Sequence, residues 1–500
     1  MIYSIHHNLN WLKGGLEYAQ VYRAKILRRL GLDAKFIFYE MFPADNIQHV
    51  MEEIGFQDSE IIWLNTVFTD CRISPITYTL EQMENALGDK KYIVSRKGTV
   101  IKYTFPEKNI YYNAYLENDT GDRVHRVELI SNGCLIRRDY YTYCRIYSEY
   151  FAPLNGYAHL YQRRFFNEDG SVAFEEIIDS QNVMYKFPDR ILYSRDELVE
   201  YMLSSLKLTE SDIVLIDSGA SKIDLAGIIR GISLAKIGFI IHSNHFIEYR
   251  ADSDWVRWNP YYEYALSHPG QIDFFVMSTE AQSSLLKSQF LRYLNAAPRI
   301  MTVPVGGLDR LRYPKTLRKK CSLITASRLS EEKHIDWVID AVAEARKVLP
   351  ELTLDIYGKG YEGENLRDQI DRLHCNGYVR LCGHKNLDEV YQDYEAYISG
   401  SIGETFGLTL MEAIGSGLPI IGFDVRYGNQ IFIDEEKNGY KIPWKPTMKR
   451  RECIQGLTNC IIRLFTEANL VSFQKHSYEK SKAYLTGEVE KKWRDILSRM

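Results

Sequence analysis

Between residues 318 and 442 short apolar runs alternate with longer amphipathic stretches, and few folds accommodate that rhythm. "SLITASR" is followed by a helical pattern over 334–349, "LTLDIYGKG" by another over 363–373, and then come "YVRLCGH" and "AYISGS". The passage "GETFGLTLMEAIGSGLPIIGFD", from Gly403 to Asp424, closes the array with a loop, a buried helix and a buried strand. Strands that are apolar on both faces must be covered on both faces, and helical crossovers make neighbouring strands parallel. The pattern therefore predicts a doubly wound parallel sheet, which binds ligands outside the carboxyl ends of its strands.

The first part of the chain follows the same rhythm with one interruption. A short strand from Ile2, a Gly14-Gly15 turn, an amphipathic helix near Leu16 to Leu30 and the strand "AKFIFYE" open a βαβ unit. From Thr69 to Asp196 the text changes to short Tyr- and Arg-rich segments divided by "RKG", "NDTGD", "SNG", "LNG" and "EDG", the spacing of an antiparallel meander. The α/β alternation returns with "DIVLID", "IGFIIH" and "DFFVMS". The expected fold is α/β: two Rossmann-like domains facing a cleft, with a β-meander inserted in the N-terminal one. The expected domain limits are 1–68 and 197–314 for the split N-terminal domain, 69–196 for the insertion and 315–480 for the C-terminal domain. A final helix at 481–500 is expected to pack back on the first domain.

The formal charge of 62 basic against 66 acidic residues, −4, argues against a general affinity for nucleic acid. The 8 cysteines include no C-x-x-C pair, which points to reduced thiols. "MIYSIHHNLNWLKGG" lacks the basic start and apolar centre of a signal peptide, and no apolar run is long enough to span a bilayer. A cytoplasmic protein is expected, with any membrane contact peripheral at the inner face.

Two acids and two cations carry the chemistry. Glu404 lies in a loop before a helix and Glu412 lies inside that helix, so the pair brackets a helix N-terminus, a natural phosphate site. A carboxylate accepts hydrogen bonds at two oxygens and can hold neighbouring hydroxyls of a sugar. Arg328 ends a strand, and Lys333 precedes a helix whose dipole disfavours a cation there unless an anion intervenes. The alternative is a solvated Lys333 paired with Glu331 or Glu332, and a Glu404 that serves the helix dipole alone.

"GETFGLTLMEAIGSGLPII" and "SRLSEEK" resemble the E-x7-E region and the Arg/Lys diphosphate clamp of the retaining GT-B glycosyltransferases. By that resemblance Arg328 and Lys333 hold a diphosphate, Glu404 the donor sugar with Thr405, Phe406 and Gly407, and Glu412 the ribose beside Leu408 and Thr409. Nearly end to end, through "GGLEYAQVYRAKILR", "SEYFAPLNGYAHLYQRRFFNEDGSVAFEE", "LDIYGKG" and "GLPIIGFDVRYGNQIFID", the chain resembles the catalytic subunit of the accessory-Sec O-linked N-acetylglucosaminyltransferase. That resemblance implies transfer of N-acetylglucosamine from UDP-GlcNAc to Ser/Thr of a serine-rich repeat adhesin, together with a homologous noncatalytic subunit. It also implies UDP contacts at Gly14, Gly15, Leu16, Glu17 and Tyr18 and at the loop of His384 and Lys385. The meander would serve acceptor and partner binding. His242, at the end of "GFIIH", is positioned to hydrogen-bond the donor sugar.

No metal is expected, and no cofactor beyond the donor. "DSD" at 252–254 and "HSNH" at 242–245 imitate manganese and zinc patterns, but each lacks further ligands nearby. Two rivals stand beside this reading: a glucosyl or wall-teichoic-acid transferase of the same fold, and a noncatalytic adhesin-binding chaperone. The presence of Arg328, Lys333, Glu404 and Glu412 together disfavours the second.

Overall fold

The computed structural model describes the whole chain except residues 7–14, 43–44, 89–90, 180–181, 218–222 and 253, and the side chain of residue 249. A six-stranded sheet runs in the order Val379–Gly383, Thr353–Tyr357, Ser322–Ala326, Ala396–Ile398, Ile420–Phe423, Gly439–Ile442. Every pairing in it is parallel. Numbered along the chain, the order is 3-2-1-4-5-6, that of a dinucleotide-binding sheet. A seven-stranded sheet runs Ile300–Thr302, Phe274–Met277, Lys236–Ile241, Ile213–Asp217, Ile2–His6, Ala34–Phe38, Ile61–Trp63 and repeats that order with one strand added. By its contacts the chain forms two compact units. One holds Met1–Glu17, Leu27–Ile240 and Pro260–Asp273, the other Tyr18–Ile26, Ile241–Asn259 and Phe274–Met500.

The six-stranded sheet exists because its strands are apolar on both faces. Leu323, Leu354, Ile356, Ile398, Ile421 and Phe423 are buried, sealed on one side by Val338, Ile339 and Val342 of the helix Ile335–Ala345 and by Leu457 and Ile461 of Arg450–Thr466. On the other side Leu410, Met411 and Ile414 of the helix Leu408–Gly415 pack against Ile324 and Ile420.

The insertion is a ten-stranded sheet in which each strand pairs with its neighbour in sequence, from Ile93–Lys97 to Ile191–Leu192. Its Tyr- and Arg-rich text resolves into a charge ladder. Glu128, Arg138, Glu149, Arg163 and Glu176 stand opposite one another on successive strands. They are joined at 2.9, 3.2, 3.0 and 2.7 Å. Tyr115 and Tyr185 close the two ends, at 2.7 Å to Glu128 and 3.0 Å to Glu176. A one-residue slip would set every carboxylate opposite the wrong face, so the ladder fixes the register of a long sheet. The span expected to be all meander also contains a helix, Leu80–Leu87, started by a capping box of Thr79 and Gln82. Thr and Gln three residues apart before an apolar run announce such a start in the sequence.

No helix among the described residues is long and apolar enough to cross a membrane. All 8 cysteines are unbridged.

Candidate active site

In a 3-2-1-4 strand order the loops after strands 1 and 4 part in opposite directions and leave a crevice. Here these are the loops after Ser322–Ala326 and after Ala396–Ile398. Their backbones interlock with their neighbours. Ser327 N–H donates to Tyr357 O at 3.1 Å and Leu329 N–H to Lys359 O at 3.0 Å. A Cβ on Gly358, whose φ is +141°, would lie 1.8 Å from Ser327 O, so only glycine fits this approach. On the second loop, a Cβ at Gly400 would lie 2.5 Å from His334 O, which holds that loop hard against the residues around Lys333.

Lys333 ends the short turn Glu331–Lys333, and His334, at φ +44° and stacked on Trp337 at 3.6 Å, starts the following helix. The Lys333 ammonium reaches neither Glu331 nor Glu332. Its Nζ lies 2.6 Å from Glu404 Oε2 and 3.4 Å from Ser401 Oγ, and Ser401 donates to the same Oε2 at 3.2 Å. Both charged side chains are mostly buried, 16% and 22% exposed, so water screens the pair only in part. Arg328 is different: 70% exposed, it lies 3.7 Å from Glu332, whose carboxylate Ser330 also engages at 2.7 Å.

The loop carrying Glu404 is fixed by its main chain. Glu404 O accepts from Tyr427 N–H and Gly428 N–H at 2.6 and 2.7 Å. A Cβ on Gly428 would lie 2.2 Å from Phe406 O, which explains the glycine. The Phe406 ring is buried against Phe432 and Tyr484, so that residue offers a ligand only its backbone. Thr405 lies between, partly buried. Gly407, at φ +87°, turns the chain into the helix Leu408–Gly415. Thr409 Oγ1 is 3.0 Å from Tyr397 Oη, which ties the first turn of that helix to the end of the strand Ser322–Ala326 through Ala326 O at 2.9 Å. Leu408 packs where a Cβ on Gly306 would collide at 2.6 Å, beside Tyr18.

Glu412 sits one helical turn deeper. Burial pushes its carboxyl up to about 7, opposed by the hydrogen bond from Tyr391, 3.0 Å from Oε2, and raised further by Asp388. The Tyr18 hydroxyl is raised, first by burial and then by the Glu412 charge, which puts the two in one electrostatic neighbourhood. A carboxyl raised above its unfolded value destabilises the fold once it ionises. The penalty is absent below about pH 4.5, grows as pH rises and is complete above about pH 7. Glu412→Gln is therefore expected to stabilise the protein by up to about 3 kcal/mol at pH 8 and by almost nothing at pH 4.5, read as thermal unfolding at the two pH values.

His384 and Lys385 are exposed just after the strand Val379–Gly383, with Lys385 Nζ 6.0 Å from the Tyr357 ring centre. Gly15, Leu16 and Glu17 form the first turn of the helix Gly15–Arg29, with Glu17 buried; Gly14 lies outside the described residues. His242 directly follows the strand Lys236–Ile241 and is partly buried. The structure thus joins Lys333 to Glu404 directly and Glu412 to the neighbourhood of Tyr18. Ser401 and Tyr391 escaped the sequence reading. Ser401 stands three residues before Glu404 in a loop of small residues, whereas nothing in the text around Tyr391 signals Glu412, 21 residues on.

One side chain in each metal-like pattern makes a structural hydrogen bond. Asp252 Oδ1 accepts from the N–H groups of Asp254 and Trp255 at 2.8 Å and so closes the turn between the strands Phe246–Ala251 and Val256–Trp258. His245 is buried with Nε2 2.6 Å from Gln289 Oε1.

Comparison with known proteins agrees with this architecture. The family described as "Glycosyl transferases group 1" matches residues 313–449, and "GtfA extended beta-sheet domain" matches residues 93–189. Two parallel Rossmann-like sheets and a group 1 region carrying the switch-point residues make this a glycosyltransferase of the GT-B class. Over 499 residues, 99% of this chain and 98% of the relative, it is 46% identical to the UDP-N-acetylglucosamine--peptide N-acetylglucosaminyltransferase GtfA subunit of Streptococcus gordonii. It superposes with a TM-score of 0.92 on the pneumococcal O-GlcNAc transferase GtfA in complex with UDP and GlcNAc, at 40% identity and covering 100% and 98% of the two chains. Against the structure of a GtfA/B complex the TM-score is 0.95, at 46% identity, covering 100% and 99%. The chain belongs to the family of the GtfA subunits of UDP-N-acetylglucosamine--peptide N-acetylglucosaminyltransferases.

Proposed function

We propose that this chain transfers N-acetylglucosamine from UDP-GlcNAc to Ser/Thr hydroxyls of a serine-rich repeat protein, as the first step of its glycosylation, and does so with a homologous second subunit. The observation that carries the site assignment is the Lys333–Ser401–Glu404 cluster at the switch point, with Glu412 one helix turn below. Lys333 and Glu404 neutralise each other at 2.6 Å. A diphosphate entering the crevice draws the ammonium to itself, which releases the Glu404 carboxylate to accept bonds from the sugar hydroxyls. The exchange gives Lys333 the diphosphate in place of Glu404, and gives Glu404 the sugar hydroxyls as hydrogen-bond donors in place of the ammonium.

The exposed Arg328 closes on the diphosphate from the solvent side, Glu412 takes the ribose, and the backbone beside His384 and Lys385 meets the base. Gly14, Gly15, Leu16, Glu17 and Tyr18 complete the nucleotide site, and His242 steadies the sugar with Thr405 and the backbone of Phe406 and Gly407. The reaction retains configuration by front-face exchange. The C1–O bond to the β-phosphate breaks, the acceptor oxygen bonds to C1 on the same face, and its proton passes to the departing phosphate oxygen. Positive charge from Arg328 and Lys333 stabilises the phosphate as it leaves.

The domain limits 1–68, 69–196, 197–314, 315–480 and 481–500 belong to the same proposal. The insertion serves acceptor and partner, and the protein works in the cytoplasm, with any membrane contact peripheral at the inner face. A panel of UDP-sugars with a serine-rich acceptor, read by intact mass, tests the reading. A HexNAc increment from UDP-GlcNAc alone supports it; a hexose increment from UDP-glucose at equal rate moves the assignment to a glucosyltransferase. Because the cations assigned to the diphosphate are side chains, EDTA is expected to leave the initial rate within about twofold. Loss of turnover restored by manganese would reverse that part of the proposal.

A further inference from the structure

We propose that Tyr391 is a positioning residue of the nucleotide site, holding the Glu412 carboxylate in the orientation that the donor's ribose requires. The inference rests on the reading of Glu412 as the ribose acid. Tyr391 is 1% exposed, inside the buried cluster that also holds Tyr394, Tyr397, Leu410 and Ile414, with the Tyr397 ring 6.2 Å away. Its one polar side-chain atom ends 3.0 Å from Glu412 Oε2. That contact occupies one carboxylate oxygen and leaves Oε1 to accept from two neighbouring hydroxyls.

Tyr391 is also where the base-side loop ends. It opens the short turn Tyr391–Asp393, six residues beyond Lys385. The loop before it is tied to the chain at 310–315 by Glu389 with Arg310 at 2.8 Å and Lys315 at 2.7 Å, and by Asp388 with Arg312 at 3.2 Å. A single buried side chain therefore couples the loop of His384 and Lys385 to the acid at the ribose.

The same contact governs charge. The groups facing Glu412 are Tyr391, Asp388 and Arg312, with Tyr18 and Tyr397 sensing its charge. Tyr391 and Arg312 favour the carboxylate, while burial and Asp388 oppose it. The Tyr391 hydroxyl is itself held far above its usual range by burial and by Glu412, so it remains a donor throughout the working pH range. Ribose hydroxyls bond the ionised form best, so donor affinity should rise with pH through neutrality, and loss of the Tyr391 hydroxyl should move that rise upward.

Calorimetric titration of the full chain with UDP-GlcNAc between about pH 6 and pH 8.5 tests this, because a diphosphate esterified at both ends does not titrate there. Wild type is expected to gain about tenfold in affinity from pH 6 to pH 8. Tyr391→Phe, which keeps the ring in place, should bind about tenfold more weakly at pH 7 and regain most of the loss by pH 8.5. Glu412→Gln should bind weakly at every pH without a rise. A Tyr391→Phe curve that overlies wild type, or lies below it by one constant factor at every pH, would overturn the proposal. Wild-type affinity and pH dependence in Glu412→Gln would instead overturn the assignment of Glu412 beneath it.

Discussion

Replacing Lys333 with alanine should lower the rate of sugar transfer by at least about a hundredfold while the fold persists. Two losses combine. The leaving diphosphate loses a charge-assisted contact that strengthens as negative charge develops, and such contacts are worth about 1.5–3 kcal/mol even in the ground state. Glu404, meanwhile, loses the ammonium 2.6 Å away and is left mostly buried with Ser401 as its remaining side-chain partner. Removing one member of a buried ion pair is costly, so thermal stability should fall as well, by about 1–3 kcal/mol. Steady-state rates beside circular dichroism separate the effects. A wild-type rate in folded Lys333→Ala would end the clamp assignment.

Glu404→Gln should separate nucleotide binding from catalysis. The amide keeps the shape but offers one acceptor oxygen, and it no longer holds Lys333 in check. UDP should bind as well as before or more tightly, since the ammonium is released to the diphosphate without first breaking an ion pair. Transfer should drop by about a hundredfold or more, because the sugar loses the group that aligns C1 with the acceptor. Calorimetry with UDP beside a rate measurement decides it. A carboxylate serving only the dipole of the helix Leu408–Gly415 would cost about 0.3–1 kcal/mol of stability and little rate.

Much of the site was legible in the chain because it depends on local order. Strand, loop and helix follow one another in "TASRLSEEKHIDWV" and in "GETFGLTLMEAIG", so the places of Arg328, Lys333, Glu404 and Glu412 relative to their own strand ends and helices could be read directly. The glycines were visible too, yet their reasons were not. Gly358, Gly400 and Gly428 are required by Ser327 O, His334 O and Phe406 O, atoms from other loops that no local pattern brings near. The contact of Lys333 with Glu404 was hidden for the same reason. Glu331 and Glu332 are its neighbours in sequence, but the turn Glu331–Lys333 and the αL residue His334 swing the lysine toward the loop of strand 4.

The sequence by itself determined the alternating strands and helices around the switch point, that two parallel arrays exist, where an antiparallel insertion interrupts the first, and which charged residues stand at strand ends. Apolar periodicity and turn residues are properties of short stretches, and these suffice for such conclusions. Only the tertiary structure decided that Lys333 and Glu404, 71 residues apart, form an ion pair, and that Tyr391 reaches Glu412. It also decided that the Arg and Glu residues of the insertion form one ladder over five strands. Each of those contacts depends on strand order and register, which arise when distant segments bury their faces together, and side-chain geometry at a switch point is set by that packing and not by the residues next in line.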